Sequence, residues 1–386
     1  MTKTYVALSI FLAAGCSPGD ENPPLPSGNT AIVLTSGGFG AGGAVNSVGL
    51  ADHKVVMAID TSIDQDSAIR IAGAKAYVLN RGPGSLFIYD TSSWKSPIEI
   101  LTGDASVSHN TSDPSDLAVV GTKVYVSLLG NDSAHALGVL DSSQPQGAIK
   151  WINVPTATAD TDGKPEAGGL YSCNGLLYLL TQDYDEMTYL PTGGGRIAII
   201  DPAKDTLGDI IQLTGKNPNA MAAESGDCET VLVAASGPFG GAPDNTGGIE
   251  RVDLGKKKSL GFVLKDTDLN GRPSSVDVVS KTLAFATIYF DLEPQPMGPP
   301  QLSSSKVVSF NPSTGKLIGD VTDAAGFIPF ATVAPSGELY VGVDFFPGST
   351  DSSKLKAGVY IGKADGSKLT APPLDIGQNP YAIAFQ

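Results

Sequence analysis

Six times along the chain one pattern returns: a small and apolar alternating run, a tight turn, then a second alternating run with an aromatic or aliphatic residue at its centre. It reads "PSDLAVVGTKVYVSLLG" from Pro114, "AGGLYSCNGLLYLLTQD" from Ala167 and "PFATVAPSGELYVGVDF" from Pro329. The centres fall at Tyr77, Tyr125, Tyr178, Leu232, Ala284 and Tyr340, spaced by 48 to 56 residues. A third run ends in an Asx turn at Asp90, Asp141, Asp201, Asp253 and Asn311, and a fourth follows, as in "LGDIIQL" from Leu207. Alternation at period two marks strands, so each unit holds four of them. A repeated four-stranded unit of this length predicts an all-β ring of antiparallel blades, a β-propeller.

The two ends of the repeat region are incomplete in complementary ways. Before the first full unit lie "TAIVLTSGG", "AVNSVGL" and "KVVMAID", three strands without a leading one. The last residues supply it, because "NPYAIAF" from Asn379 aligns with "NPNAMAA" from Asn217. The C-terminal strand is therefore expected to complete the N-terminal blade, leaving no open sheet edge between last and first blades. Six full units and this composite make a seven-bladed propeller over residues 30–386. With Gly 46 and Pro 27 the chain is punctuated too often for long helices, and 41% hydrophobic residues are enough for one large core.

The runs "AYVLN" at Ala76, "VYVSL" at Val124, "LYVGV" at Leu339 and "IAIID" at Ile197 resemble those of the YVTN (YncE-like) repeat family of seven-bladed propellers, over nearly the whole region after residue 30. The resemblance implies fold and says little of activity, since such propellers serve as binding proteins, cell-surface proteins and the scaffolds of a few enzymes.

The first residues read as an address. Lys3 precedes an apolar run from Tyr5 to Ala14, too short to cross a bilayer as a helix and suited to a signal peptide. "LAAGC" resembles the lipobox of bacterial lipoproteins, which implies cleavage after residue 15 and acylation of Cys16, although Leu12 stands one place further out than usual. An ordinary secretory signal is the alternative. By resemblance to enterobacterial lipoproteins, Ser17 after the cysteine points to the outer membrane. Residues 16–29, rich in Pro, Gly and polar side chains, read as the lipidated cysteine and a flexible linker. The expectation is an envelope protein held to the membrane by acyl chains alone.

A net charge of −15 argues against a nucleic-acid partner, which requires clustered Lys and Arg. Cys173 and Cys228 fall in equivalent turns of neighbouring blades, and an exported chain meets an oxidising compartment, so a Cys173–Cys228 disulfide is expected.

Chemistry is sparse. Gly38, Gly40 and Gly43 satisfy a dinucleotide-binding spacing, but a strand and not a helix follows. Ser303 and Lys306 lie in a Ser-rich loop and not at a helix start. Three histidines, His53, His109 and His135, cannot build an imidazole crown for copper or haem. His109 could serve as a base beside Asp113 or Asp116, or be a solvated loop residue. "DTDLNGRPSSVD" sets Asp266, Asp268, Asn270 and Asp277 at the oxygen-ligand spacing of a calcium loop, though the same residues are good turn formers. The cofactor expectation is thus none, or Ca2+.

The connections between second and third strands lengthen from 13 residues between Tyr77 and Asp90 to 27 between Ala284 and Asn311. Those of the fourth to seventh blades gather on one face and carry Tyr184, Tyr189, Phe239, Tyr289, Phe290, Phe345 and Phe346 beside Asp183, Asp185, Glu186, Asp244, Asp291, Glu293 and Asp344. Aromatics there supply contact area, unless they pack under their own loops. The reading is a monomeric, non-catalytic scaffold binding a protein, glycan or small molecule. The alternative is a lactonase-like hydrolase or lyase at the channel mouth, which would need His109, Asp116 and Asp277 to converge on one cavity.

Overall fold

The computed structural model describes residues 29–38, 41–102, 113–129, 135–145, 147–157, 163–185, 190–224, 228–238, 242–293, 301–344 and 355–386, the side chains of 291–293 and 301–303 excepted. Seven antiparallel sheets follow one another around a central channel. Blade one is the composite: Asn379–Phe385 pairs with Thr30–Ser36, which continues into Gly43–Gly49 and Val55–Asp60. Partners Ala31↔Phe385, Val33↔Ile383 and Leu34↔Ala382 fix its register, and Gln386 N donates to Thr30 O at 2.8 Å. The ring closes as the repeat requires.

Each later blade opens with an inner strand on the channel: Ser67–Ala72, Pro114–Val120, Ala167–Cys173, Pro218–Ala223, Arg272–Ser280 and Phe327–Val333. The core lies between blades and not within them, as apolar clusters shared by neighbours. Tyr125 and Leu137 of blade three pack with Leu170 and Leu179 of blade four, and Tyr340 of blade seven packs with Val33 of blade one. All six repeat centres are buried, so the recurring tyrosine is the residue that wedges one sheet against the next.

Two blades depart from the simple module. In blade seven the strands Phe327–Val333, Glu338–Asp344 and Gly358–Lys363 form a three-stranded sheet, and the fourth place holds one bridge, Val359↔Leu374. Pro372 and Pro373 directly before Leu374 have no amide hydrogen to donate, so no longer ladder forms there. In blade six the long connection expected after Ala284 is largely strand: Leu283–Glu293 stays paired with Gln301–Asn311 as far as Glu293↔Gln301. Tyr289 and Phe290 are therefore strand residues. We call the face bearing the turns between first and second strands the lower face, and the opposite one the upper face.

Candidate functional site

The inner strands leave their free edges on the channel, so side chains at their upper ends converge from all seven blades. They enclose a cavity of about 460 Å³, within the range of small-ligand sites. Its walls differ. Blades two and three contribute Arg70, Arg81 and Asp116, whereas blades four, five and seven contribute Leu170, Met221, Phe327 and Phe330, and blade six Ser274 and Ser275.

The charged wall is a network across blades. Arg70 Nη2 donates to Asp116 Oδ1 at 2.6 Å, and Asp116 Oδ2 accepts Leu170 N of blade four at 3.0 Å. Asp116 Oδ1 also accepts Leu117 N at 2.8 Å, so both oxygens are engaged. Arg81, just after the strand Lys75–Asn80, reaches Ser115 O through Nε at 2.9 Å and Asp66 Oδ1 through Nη1 at 2.8 Å. Among the described residues its second terminal nitrogen meets no protein acceptor. Desolvation inside the ring pulls the guanidinium pKa down, but Asp66, Tyr381 and Asp116 more than offset it, and the net shift is upward. Burial, then Asp66, pushes the carboxyl of Asp113 up. Tyr381, from the closing strand, lines the same cavity, and burial and Asp66 raise its phenol well above the ordinary range.

A second cavity, of about 420 Å³, opens toward the lower end. Asp277 is the charged residue among its lining. Its Oδ2 accepts Val333 N at 2.8 Å and Thr332 Oγ1 at 3.0 Å, and burial raises its pKa against these two bonds. Asp116 and Asp277 thus line different cavities, and His109 lies outside the described residues.

The four residues of the calcium-like spacing do not converge. Asp266 is fully buried, its carboxylate accepting Thr267 N at 2.7 Å, Asn245 N at 2.9 Å, Asp244 N at 3.1 Å and Gly247 N at 3.3 Å. Asp268 accepts Lys265 N at 3.0 Å, and Asn270 is the left-handed cap ending the short helix Asp266–Leu269. Asp277, directed at blade seven, belongs to neither. Among the described residues no three His, Cys, Asp or Glu side chains are grouped to hold a metal ion.

The Cys173–Cys228 disulfide is formed, with Cα atoms 6.3 Å apart. Cys16, Tyr189, Phe239, Phe345, Phe346 and Glu186 lie outside the described residues, as do the side chains of Asp291 and Glu293. Of the remaining aromatics, Tyr289 stacks on Phe327 of blade seven with centroids 5.9 Å apart and donates to Ile328 O at 3.4 Å. Burial pushes its pKa up to about 12. Lys306 Nζ stands 5.9 Å from the centroid of Phe290. Tyr184 is half-buried in the small ladder Tyr184–Asp185 with Leu190–Pro191, and its amide donates to Glu166 Oε2 at 3.0 Å.

Asp183, expected among the acidic residues carried by these connections, is internal. It is fully buried, takes Arg196 bidentately at 2.8 and 2.5 Å, and accepts Thr181 Oγ1 and Ala157 N. Arg70 and Arg81 carry most of the upper cavity's charge and were not among the sequence candidates. The signal was present: register sets Arg70 opposite Tyr77, where other blades have Ala118, Tyr171 and Thr332 opposite their own centres.

No protein-family model matches the chain, and no curated protein sequence matches it. Solved structures do match in fold. The computationally designed Ika8 protein aligns with TM-score 0.51 and 12% identity over 95% of this chain and 94% of its own. U3-55K aligns with TM-score 0.50 and 13% identity over 86% and 94%. Apo AztD from Citrobacter koseri aligns with TM-score 0.47 and 12% identity over 92% and 97%. At such identities, and with 975 chains sharing the match, the likeness is one of architecture. The chain is a seven-bladed β-propeller, and its chemistry rests on its own side chains.

Proposed function

We propose that this protein is a non-catalytic binding protein of the bacterial cell envelope, anchored through acylated Cys16 and taking its ligand on the upper face of the ring. The observation that carries the binding reading is the upper cavity, a concave site of about 460 Å³ that sets arginines across from aromatic and thioether side chains. The short apolar run before "LAAGC", the linker that follows and the resemblance to YVTN-repeat propellers support the envelope setting. The Cys173–Cys228 disulfide suits an oxidising compartment.

Two measurements test it. In a Gram-negative host fed labelled palmitate, the full chain is expected to take up label and sediment with membranes, and Cys16→Ser to do neither; label retained by that variant sinks the anchor. For binding, a panel of small molecules and glycans is screened by thermal shift on the native chain, Arg81→Gln and the lower-face variant Glu338→Ala. Hits lost only in Arg81→Gln support the upper face. Hits indifferent to Arg81→Gln, but lost in Glu338→Ala, move the site to the other end of the ring.

A further inference from the structure

The upper cavity holds two arginines in ion pairs that leave part of their donor capacity open. Among the described residues lining the cavity the charged side chains are Arg70, Arg81 and Asp116, and Asp66, just behind the lining, pairs with Arg81 at 2.8 Å. Asp116 is engaged at both oxygens by Arg70, Leu117 and Leu170. What remains open is donor capacity: the second terminal nitrogen of Arg81, and Arg70 Nε, for which no protein acceptor is found among the described residues. At the arginine edge the polar end of an occupant must therefore accept hydrogen bonds. A cationic group would meet guanidiniums and an already satisfied carboxylate.

The opposite wall fixes the rest of the molecule. Met221, Phe327, Pro329 and Phe330 present thioether, ring and aliphatic surface, which gains from covering an apolar body, with Asn219, Ser274, Ser275 and Thr332 set beside them. The guanidinium is also the side chain best shaped for a planar anion, because its fork matches a carboxylate in geometry and charge. Arg81 is 28% exposed although it lies inside the ring. An occupant covering that exposed part would form its interaction where the local dielectric is low.

We infer that the upper cavity binds a small organic carboxylate with an apolar body, its carboxylate on the open edge of Arg81 and its body against Phe327, Phe330 and Met221. This rests on the upper-face binding reading above and adds to it the class of ligand.

The test uses the full chain and three probes of one shape: benzoate, benzamide and benzylamine. Benzoate is expected to raise the unfolding temperature in a dose-dependent way, benzamide to do so weakly and benzylamine not at all. Replacing Arg81 with Gln should weaken benzoate by about 10- to 100-fold, and Arg81→Lys should recover part of the loss. Should Arg81→Gln fail to fold, the native chain carries the test alone. Benzoate should slow modification of Arg81 by phenylglyoxal, mapped by peptide mass, and leave the distant Arg251 unprotected. Benzylamine stabilising more than benzoate, or benzoate leaving the Arg81 rate unchanged, overturns the inference. Hits from the broad panel that depend on Arg81 but are neutral would overturn it while leaving upper-face binding intact. No Arg81-dependent hit of any kind removes both.

Discussion

The two faces of the ring use acidic residues in different ways. On the lower face, carboxylates clasp neighbouring blades through side chains. Asp205 of blade four takes Lys123 Nζ and the Tyr125 hydroxyl of blade three, each at 2.7 Å. Glu224 of blade five holds Arg251 at 2.7 Å, and Arg251 reaches Pro312 O of blade six at 2.6 Å. Across the closing seam, His53 of blade one meets Glu338 of blade seven at 3.2 Å. On the upper face Asp183 and Asp116 also hold arginines, but further carboxylates are buried and turned on backbone amides. Asp266 gathers four of them, and Glu250 takes Thr214 N at 2.8 Å and Gly215 N at 2.7 Å. The lower clasps join whole sheets, whereas the upper anchors give fixed shape to connections that lack strand pairing. An acidic sequence is thus no guide to an acidic binding surface, because part of the charge is internal.

This contrast predicts an order of sensitivities. The largest effect belongs to Asp183→Ala, which strands Arg196, whose side chain is 7% exposed, without its anion; unfolding in urea should show a loss of about 3–5 kcal/mol. Replacing the pair together, as Asp183→Leu with Arg196→Met, should recover most of it, and no recovery would mean that shape, not charge, holds that connection. Next, Cys173→Ser with Cys228→Ser removes the covalent clasp of the lower face, with an expected loss of about 2–4 kcal/mol in the same assay. Glu338→Ala should cost under about 1 kcal/mol, because the His53–Glu338 pair is partly solvated. A loss as large as that of Asp183→Ala would erase the distinction between the faces.

The smallest effect is expected at Asp277, which sits toward the lower end yet holds a backbone amide of blade seven. Its pKa is raised by burial in the folded protein. Its contribution is therefore fully present below the ordinary carboxylate range and is lost as pH rises through the elevated value. Asp277→Asn keeps an acceptor for Val333 N and cannot ionise. Stability against pH for the two proteins should converge in acid and separate toward neutrality, with the Asn variant the more stable. The reverse order would show that Asp277 is held as a needed anion.

The architecture was legible because its causes are local and repeated. Alternation along Lys123–Leu128, an Asx turn at Asp141 and recurrence of both near each tyrosine are properties of single stretches of chain. The disulfide followed from the same arithmetic, since Cys173 and Cys228 hold one place in adjacent units. The cavity was harder to read because it belongs to no unit. Arg81 is an ordinary turn residue until Ser115 and Asp66 surround it, and Asp266 suggests a metal ligand until four amides converge on it. Blade six misled for a related reason: a strand that outgrows its module, as Leu283–Glu293 does, looks in the sequence like a long connection. In blade seven the paired prolines 372 and 373 were the clue that the fourth strand would not form.

The pairing of Thr30–Ser36 with Asn379–Phe385 also orients the molecule. Asn29 and Gln386 lie together, joined by Asn29 N to Gln386 O at 2.9 Å, and both leave blade one from the end that bears the interblade clasps. Any leash attached ahead of Asn29 pulls on that side. Were the proposed anchor to hold the protein there, the mouth with Arg70 and Arg81 would face away from the membrane, like a cup standing on its base.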